Sequence, residues 1–192
     1  MQRILLLLLL VTMTHLAKAQ SRLDNASFEG DPQDATVPTG WHACEIGSTP
    51  DILPGPWQVY LEASEGETYM GLITREDGSW ENVGQRLKQP MKANECYKFS
   101  LDLAHSRNYA GYNHPIKLRV WGGRKRCGKV QLLGETKVID HQDWRSYEFE
   151  FTTKFKCNYI IFEAWFGDDT YQPIRGNILI DGITRIETCT RA

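Results

Sequence analysis

Short stretches in which apolar and polar residues alternate recur along the chain. Tyr147-Glu-Phe-Glu-Phe151 and Lys98-Phe-Ser-Leu-Asp-Leu103 place apolar side chains at every second position, the two-residue period of a strand with one buried face. Richness in β-branched and aromatic residues predicts further strands over Gln58–Leu61, Thr68–Ile73, Ile116–Trp121, Tyr159–Trp165 and Ile178–Ile186, and extends the two above to Tyr97–Ala104 and Ser146–Thr152. Gly, Pro, Asn and Asp punctuate them, as in Leu53-Pro-Gly-Pro56, Glu76-Asp-Gly-Ser79, Gly122-Gly123, Gly167-Asp-Asp169 and Arg175-Gly-Asn177. No apolar stripe of 3.6-residue period runs for the length of a helix, and no internal repeat is visible. The pattern predicts an all-β fold, a two-sheet antiparallel β-sandwich with Greek-key or jelly-roll connections. The polar-acidic segment Asn25–Gly30 and the closing segment Gly176–Ile186, with its single Asp181 among Ile and Leu, are expected to pair as the first and last strands.

Residues 1–19 read as a removable address. Arg3, the apolar run Ile4–Val11 and the small residues of Ala17-Lys-Ala19 match a secretory signal peptide cut before Gln20. The run is shorter than the roughly 20 apolar residues of a spanning helix, and no other segment comes near that length, so no membrane insertion is expected. Residues 20–192 then fall within the range of one domain, a single β-sandwich domain secreted to an extracellular or periplasmic location. Loss of Arg3 and Lys18 leaves 20 basic against 24 acidic residues, a net charge of −4. That balance gives no footprint for nucleic acid, and the one basic cluster, Arg124-Lys-Arg126, reads as a solvated turn.

Asn25-Ala-Ser-Phe-Glu-Gly30, Gly40-Trp41, Gly66-Glu-Thr-Tyr-Met-Gly71, Glu81-Asn-Val-Gly-Gln-Arg-Leu87, Trp144 ahead of Tyr147–Phe151, and Asn177-Ile-Leu-Ile-Asp181 follow one another in this order. Together they resemble the galactose-binding-domain-like jelly roll, the fold of many non-catalytic carbohydrate-binding modules of secreted and cell-surface bacterial proteins. The resemblance implies glycan binding. It also implies a structural Ca²⁺ between the first and last strands, with Glu29 and Asp181 as side-chain ligands and Asn25 or a nearby carbonyl beside them. An oxygen-rich set of this kind suits calcium. The plainer alternative is that the same two carboxylates cap strand ends or meet a nearby Arg or Lys.

If the strands from Tyr97 onward run antiparallel, the segments Ser106–Pro115 and Gly167–Asn177 and the approach to Trp144 share one end of the sandwich. That end would gather Tyr109, Tyr112, His114, Trp144, Trp165, Tyr171 and Asp168. Flat aromatic faces suit the C–H side of a pyranose, and neighbouring polar groups suit its hydroxyls. The loop tips are therefore the first expected binding site and the concave sheet face the second, with Trp144 and Trp165 also readable as core.

Cys96, Cys127, Cys157 and Cys189 are expected at the opposite pole, where a secreted chain forms disulfides. The Lys98 and Glu148 strands should lie side by side, which pairs Cys96 with Cys157. Cys44, Cys127 and Cys189 then contain one thiol too many, and their connectivity stays open.

No nucleophile elbow or metalloprotease motif is present, and Glu148-Phe-Glu150 lacks the rest of a glycosidase strand motif. The expected function is a secreted, non-catalytic, lectin-like carbohydrate-binding domain. The alternatives are a structural or adhesive cell-envelope module that contacts surface proteins, and a jelly-roll polysaccharide lyase or glycosidase.

Overall fold

The computed structural model describes residues 20–167 and 172–189; the expected leader, and Asp168 and Tyr171, lie outside them. The described strands are β1 (Gln20–Ser21), β2 (His42–Ala43), β3 (Asp51–Leu53), β4 (Tyr69–Thr74), β5 (Asn82–Met91), β6 (Cys96–Ala104), β7 (His114–Pro115), β8 (Lys117–Gly123), β9 (Lys129–Glu135), β10 (Arg145–Thr152), β11 (Cys157–Trp165), β12 (Gly176–Asp181) and β13 (Ile186–Thr188). They form an eight-stranded sheet and a five-stranded sheet. β6 organises the larger one: β10 runs along one side of it, while the other side meets β13 near its start and β12 at its end. The smaller sheet is ordered β2-β5-β11-β8-β9, antiparallel throughout. No helix among the described residues is long and apolar enough to cross a membrane.

The alternation seen in the sequence builds the core. Tyr97, Phe99, Leu101 and Leu103 of β6 and Phe149 and Phe151 of β10 meet Ile160, Phe162 and Ala164 of β11 and Leu118 and Val120 of β8 between the sheets. Phe99 stacks on Phe149 at 5.3 Å and stands edge-on to Phe162 at 6.3 Å across the sandwich. Burying such side chains contributes about 1.5–3 kcal/mol each.

Besides the two- and three-residue strands β1, β2, β3 and β7, the longer strands β5 and β9 escape the sequence reading. β5 is built largely of Asn, Gln, Arg and Lys, and β9 is an edge strand whose pairing with β8 slips at two bulges. Gln58–Leu61 is no strand: Pro56–Gln58 forms a 3-10 turn and the chain continues extended without sheet partners. The ends of the chain do meet, but differently from expectation. Residues 25–28 form a turn, with left-handed φ at Asn25 (49°) and Phe28 (57°). The pairing partner of β13 is β1, and Gly182, at φ 56°, divides the expected last strand in two.

The disulfides correct the expected Cys96–Cys157 bridge. β10 does lie beside β6, with Glu148 opposite Ser100 and Thr152 opposite Cys96. The turn at 153–156, however, carries the chain into the other sheet, where Cys157 lies opposite Met91. Cys157 is buried and unbridged. Cys96 bonds Cys189, which also donates its N–H to the Cys96 carbonyl. Cys44 bonds Cys127 across 83 residues, tying the β8–β9 turn to the end of β2.

Candidate functional site

The loop end that the sequence singles out does assemble, but its rings serve packing. Leu53, Val59, Tyr69, Ile73, Ala104, Tyr109 and Leu179 make a second apolar cluster, with Tyr112 and Trp144 packed against it. Tyr109 and Gly71 illustrate the closeness: a Cβ at Gly71 would lie 2.3 Å from the Tyr109 hydroxyl. Tyr109 is 1 % exposed and donates its hydroxyl to Asp51 Oδ2. Burial and the Asp51 charge push the phenol well above its ordinary value, and burial raises Asp51 in turn. A ring so enclosed offers no face to a sugar, which removes Tyr109 from the expected site. Trp144 stands edge-on to Tyr69 at 5.1 Å and donates Nε1–H to the Glu62 carbonyl. Tyr112 is partly buried beneath the Arg175 guanidinium, 4.4 Å away. His114 is exposed on β7, its N–H bonded to the Arg175 carbonyl. Trp165 belongs to the other sheet.

The acidic edge near the chain ends has its own chemistry. Asp181 is buried; its Oδ2 accepts N–H bonds from Ser64 (2.8 Å) and Glu65 (2.9 Å), and its Oδ1 one from Gly182 (2.7 Å). Burial pushes its pKa up to about 6, with the Glu29 charge acting in the same direction. Glu29 accepts the Glu67 N–H, and a Cβ at Gly66 would lie 1.9 Å from Glu29 Oε1, so that turn requires glycine. Asp102 accepts the Ser64 hydroxyl. None of these three carboxylates has a Lys or Arg ion-pair partner among the described residues. Oxygen donors suit a hard divalent cation, but the three carboxylates do not converge within 4.8 Å of one another, so an ion here would draw most of its ligands from carbonyls or water. Asn25 is occupied otherwise: its amide donates to the Glu29 and Thr39 carbonyls and accepts the Glu29 N–H, holding the 25–29 turn.

A third arrangement occupies the outer face of the five-stranded sheet. Because Leu118 and Val120 of β8 and Phe162 and Ala164 of β11 point into the core, Lys117, Arg119, Trp121, Glu163 and Trp165 point away from it. The register sets Glu163 opposite Arg119, with Trp165 opposite Lys117. Trp80, just before β5, joins them. Glu163 is 2 % exposed and accepts the indole N–H of Trp80 (2.8 Å) and of Trp121 (2.6 Å), together with an ion pair from Lys129. The Arg119 guanidinium lies 3.8 Å over the Trp165 ring and pairs with Glu135, and Trp80 meets Trp165 edge-on at 4.7 Å. All three indoles are partly exposed. Asn82, register partner of Glu163, is fully buried, yet neither its Nδ2 nor its Oδ1 has a hydrogen-bond partner. Of this group the sequence reading named only Trp165. The signal was present in Arg119-Val-Trp121 and Glu163-Ala-Trp165, two alternating pairs, but the register that joins them was not.

Comparison with solved structures bears on the whole sandwich. The chain is similar to the CBM22-1 xylan-binding domain of Xyn10C from Paenibacillus barcinonensis, at TM-score 0.57 and 18 % identity over 92 % of this chain and 99 % of that one. The shared fold is a two-sheet antiparallel β-sandwich. The same sandwich relates it to the CBM22-1–GH10 part of xylanase Xyn10B from Clostridium thermocellum, complexed with xylohexaose (TM-score 0.54, 9 % identity). That match covers 91 % of this chain and 29 % of the other. It is also similar to the K2 cleaved adhesin domain of Lys-gingipain (TM-score 0.51, 12 % identity, 91 % and 99 % covered). No protein-family model and no curated protein sequence matches the chain. At these identities the β-sandwich fold is what is shared.

Proposed function

We propose that this protein is a secreted, non-catalytic carbohydrate-binding domain that holds a glycan against the tryptophan face of its five-stranded sheet. The observation that carries the reading is the convergence of Trp80, Trp121 and Trp165, all partly exposed, around the buried carboxylate of Glu163. Indole faces suit the C–H surface of a pyranose, while Arg119, Lys117 and Glu135 at the same face offer donors and acceptors to its hydroxyls. Glu163 fixes the two indole edges, which pre-organises the rings before the ligand arrives. Its oxygens are engaged by two indoles and an ammonium, an arrangement for positioning side chains rather than for proton transfer to substrate. The two disulfides suit an extracytoplasmic location.

The reading includes a structural calcium ion at the acidic edge, held by Glu29 and Asp181, with Asp102 nearby through Ser64. The ion would offset carboxylate charge that no basic side chain offsets there. A chelator should then lower the melting temperature, since a ligand of the folded form alone stabilises it. An unchanged melting temperature would remove the ion from the account.

A glycan array with xylan and xylohexaose among its probes tests the binding itself. Binding to at least one polysaccharide, weakened about tenfold or more by Trp165→Ala, is the expected result. Silence across the array by the folded protein would overturn the reading in favour of an adhesive module that contacts surface proteins.

A further inference from the structure

A cavity of about 280 Å³ lies at the loop end of the other sheet, away from the tryptophan face. Its walls come from two segments, the 58–61 stretch after the 3-10 turn and the 105–108 stretch after β6, with Gln142 at the rim and Leu179 of β12 behind. Tyr60 lines it and is 73 % exposed; Trp57, one turn earlier, is 44 % exposed. Tyr60 is the tyrosine, and Trp57 the tryptophan, with the most exposed side chain among the described residues, although Trp57 also hydrogen-bonds the Asp51 carboxylate. The backbone that presents them is held in the left-handed region at Trp57 (56°) and Gln58 (64°). Such conformations cost about 1–3 kcal/mol each and cluster at ligand clamps.

The polar lining is equally uncommitted. The side-chain amides of Gln58, Asn108 and Gln142 are exposed and make no hydrogen bond among the described residues. Arg107, also exposed, is the one charged residue of the lining and has no ion-pair partner among the described residues. His105 adds no positive charge at neutral pH, because burial holds its pKa below the ordinary value. The cavity thus presents an aromatic wall, apolar surface at the partly exposed Leu61, several carboxamides and a single fixed positive charge. Its volume lies just under the roughly 300–1,000 Å³ of drug-sized sites, which limits the occupant to one or two sugar rings.

We infer that this cavity binds the end of an acidic glycan, a pyranose that carries a carboxylate. Its C–H face would lie on Tyr60, its hydroxyls would meet the carboxamides, and its carboxylate would meet the guanidinium fork of Arg107, whose planar geometry matches a carboxylate bidentately. The site stands on residues the tryptophan face does not share, so it holds whether or not that face binds glycan.

The test is calorimetric or NMR titration of the purified protein with methyl glucuronide and methyl galacturonide, against the neutral methyl glucoside and methyl galactoside, with acetate as a free carboxylate. The expected result is binding of at least one uronide about tenfold tighter than its neutral counterpart. Arg107→Gln should remove that preference, Tyr60→Ala should weaken the uronide about tenfold, and Trp165→Ala should leave the uronide unaffected. Acetate should bind far more weakly than the uronide. No uronide binding, equal binding of neutral and acidic sugars, acetate binding as tight as the uronide, or an unchanged preference in Arg107→Gln would each overturn the inference. Loss of uronide binding in Trp165→Ala alone would assign it to the tryptophan face and overturn it as well.

Discussion

The outer faces of the two sheets use aromatic residues in opposite ways. On the eight-stranded sheet, loops 54–63 and 105–112 fold back as a roof, and Tyr69, Tyr109 and Trp144 become a second core beneath them. On the five-stranded sheet no such roof covers the tryptophans among the described residues: Trp80, Trp121 and Trp165 stay partly exposed, oriented by charged groups as well as by ring contacts with one another and with Phe166. The difference lies in what covers each face. An aromatic residue in a long loop can turn inward and satisfy its hydroxyl or indole on the way, as Tyr109 does on Asp51 and Trp144 on Glu62. One at an outward position of a strand is committed to that face by the alternation of the strand itself.

The sharpest way to break the contrast is on the roofed side. Tyr109→Ala should destabilise the fold by about 3–5 kcal/mol, the range for deleting a buried aromatic ring, and leave glycan binding of the remaining folded protein unchanged. Chemical denaturation with a parallel binding assay checks both halves. A variant that lost binding while keeping its stability would return Tyr109 to the site. Next comes the hub of the exposed side: Glu163→Gln leaves Lys129 with only the half-exposed Glu45 carboxylate, 3.4 Å away, and one indole without a full acceptor. Its expected cost is about 1.5–3 kcal/mol, together with weakened polysaccharide binding as Trp80 and Trp121 lose their orientation.

Trp165→Ala separates the two sides most cleanly. Its ring packs against Arg119 and Trp80 at the surface rather than in the core. A stability loss smaller than that of Glu163→Gln is therefore expected, beside a tenfold or greater loss of glycan affinity. Equal losses in stability for Trp165→Ala and Tyr109→Ala would show that both faces are core.

The smallest expected effect belongs to neither face but to the acidic edge that joins the chain ends. The carboxyl of Asp181 titrates near 6 in the folded protein, against 3.8 ordinarily. The folded state therefore holds the proton more tightly than the unfolded one. Its contribution to stability is complete below about pH 4 and disappears as the pH rises through 6. In chelator, melting temperatures should fall between pH 5 and pH 7.5, and Asp181→Asn should flatten that fall. Calcium, if bound, should restore the melting temperature at pH 7.5 most strongly, because it favours the ionised carboxylate.

Much of the fold could be read from alternation. Lys98–Leu103 and Tyr147–Phe151 lie where the two-residue period puts them, paired side by side as expected. Strands without the period were lost: β5 is polar along much of its length, and its burial comes from neighbours on both sides rather than from its composition. The site was less legible, because it depends on register. Nothing in the sequence says that Glu163 faces Arg119, or that Trp80, 83 residues before Glu163, reaches the same carboxylate. The cysteines failed for a related reason. The adjacency of β6 and β10 was readable, but the change of sheet at 153–156 that takes Cys157 away from Cys96 was not.

The central claim, that a neutral glycan is held on the tryptophan face and not at the roofed face, is tested most directly by the indole N–H signals. Each tryptophan has one, so an NMR titration with a neutral oligosaccharide that binds on the array reports on both faces at once. The account predicts that Trp80, Trp121 and Trp165 shift together while Trp144, bonded to the Glu62 carbonyl, stays in place. A shift of Trp144 with the other three unmoved would contradict it.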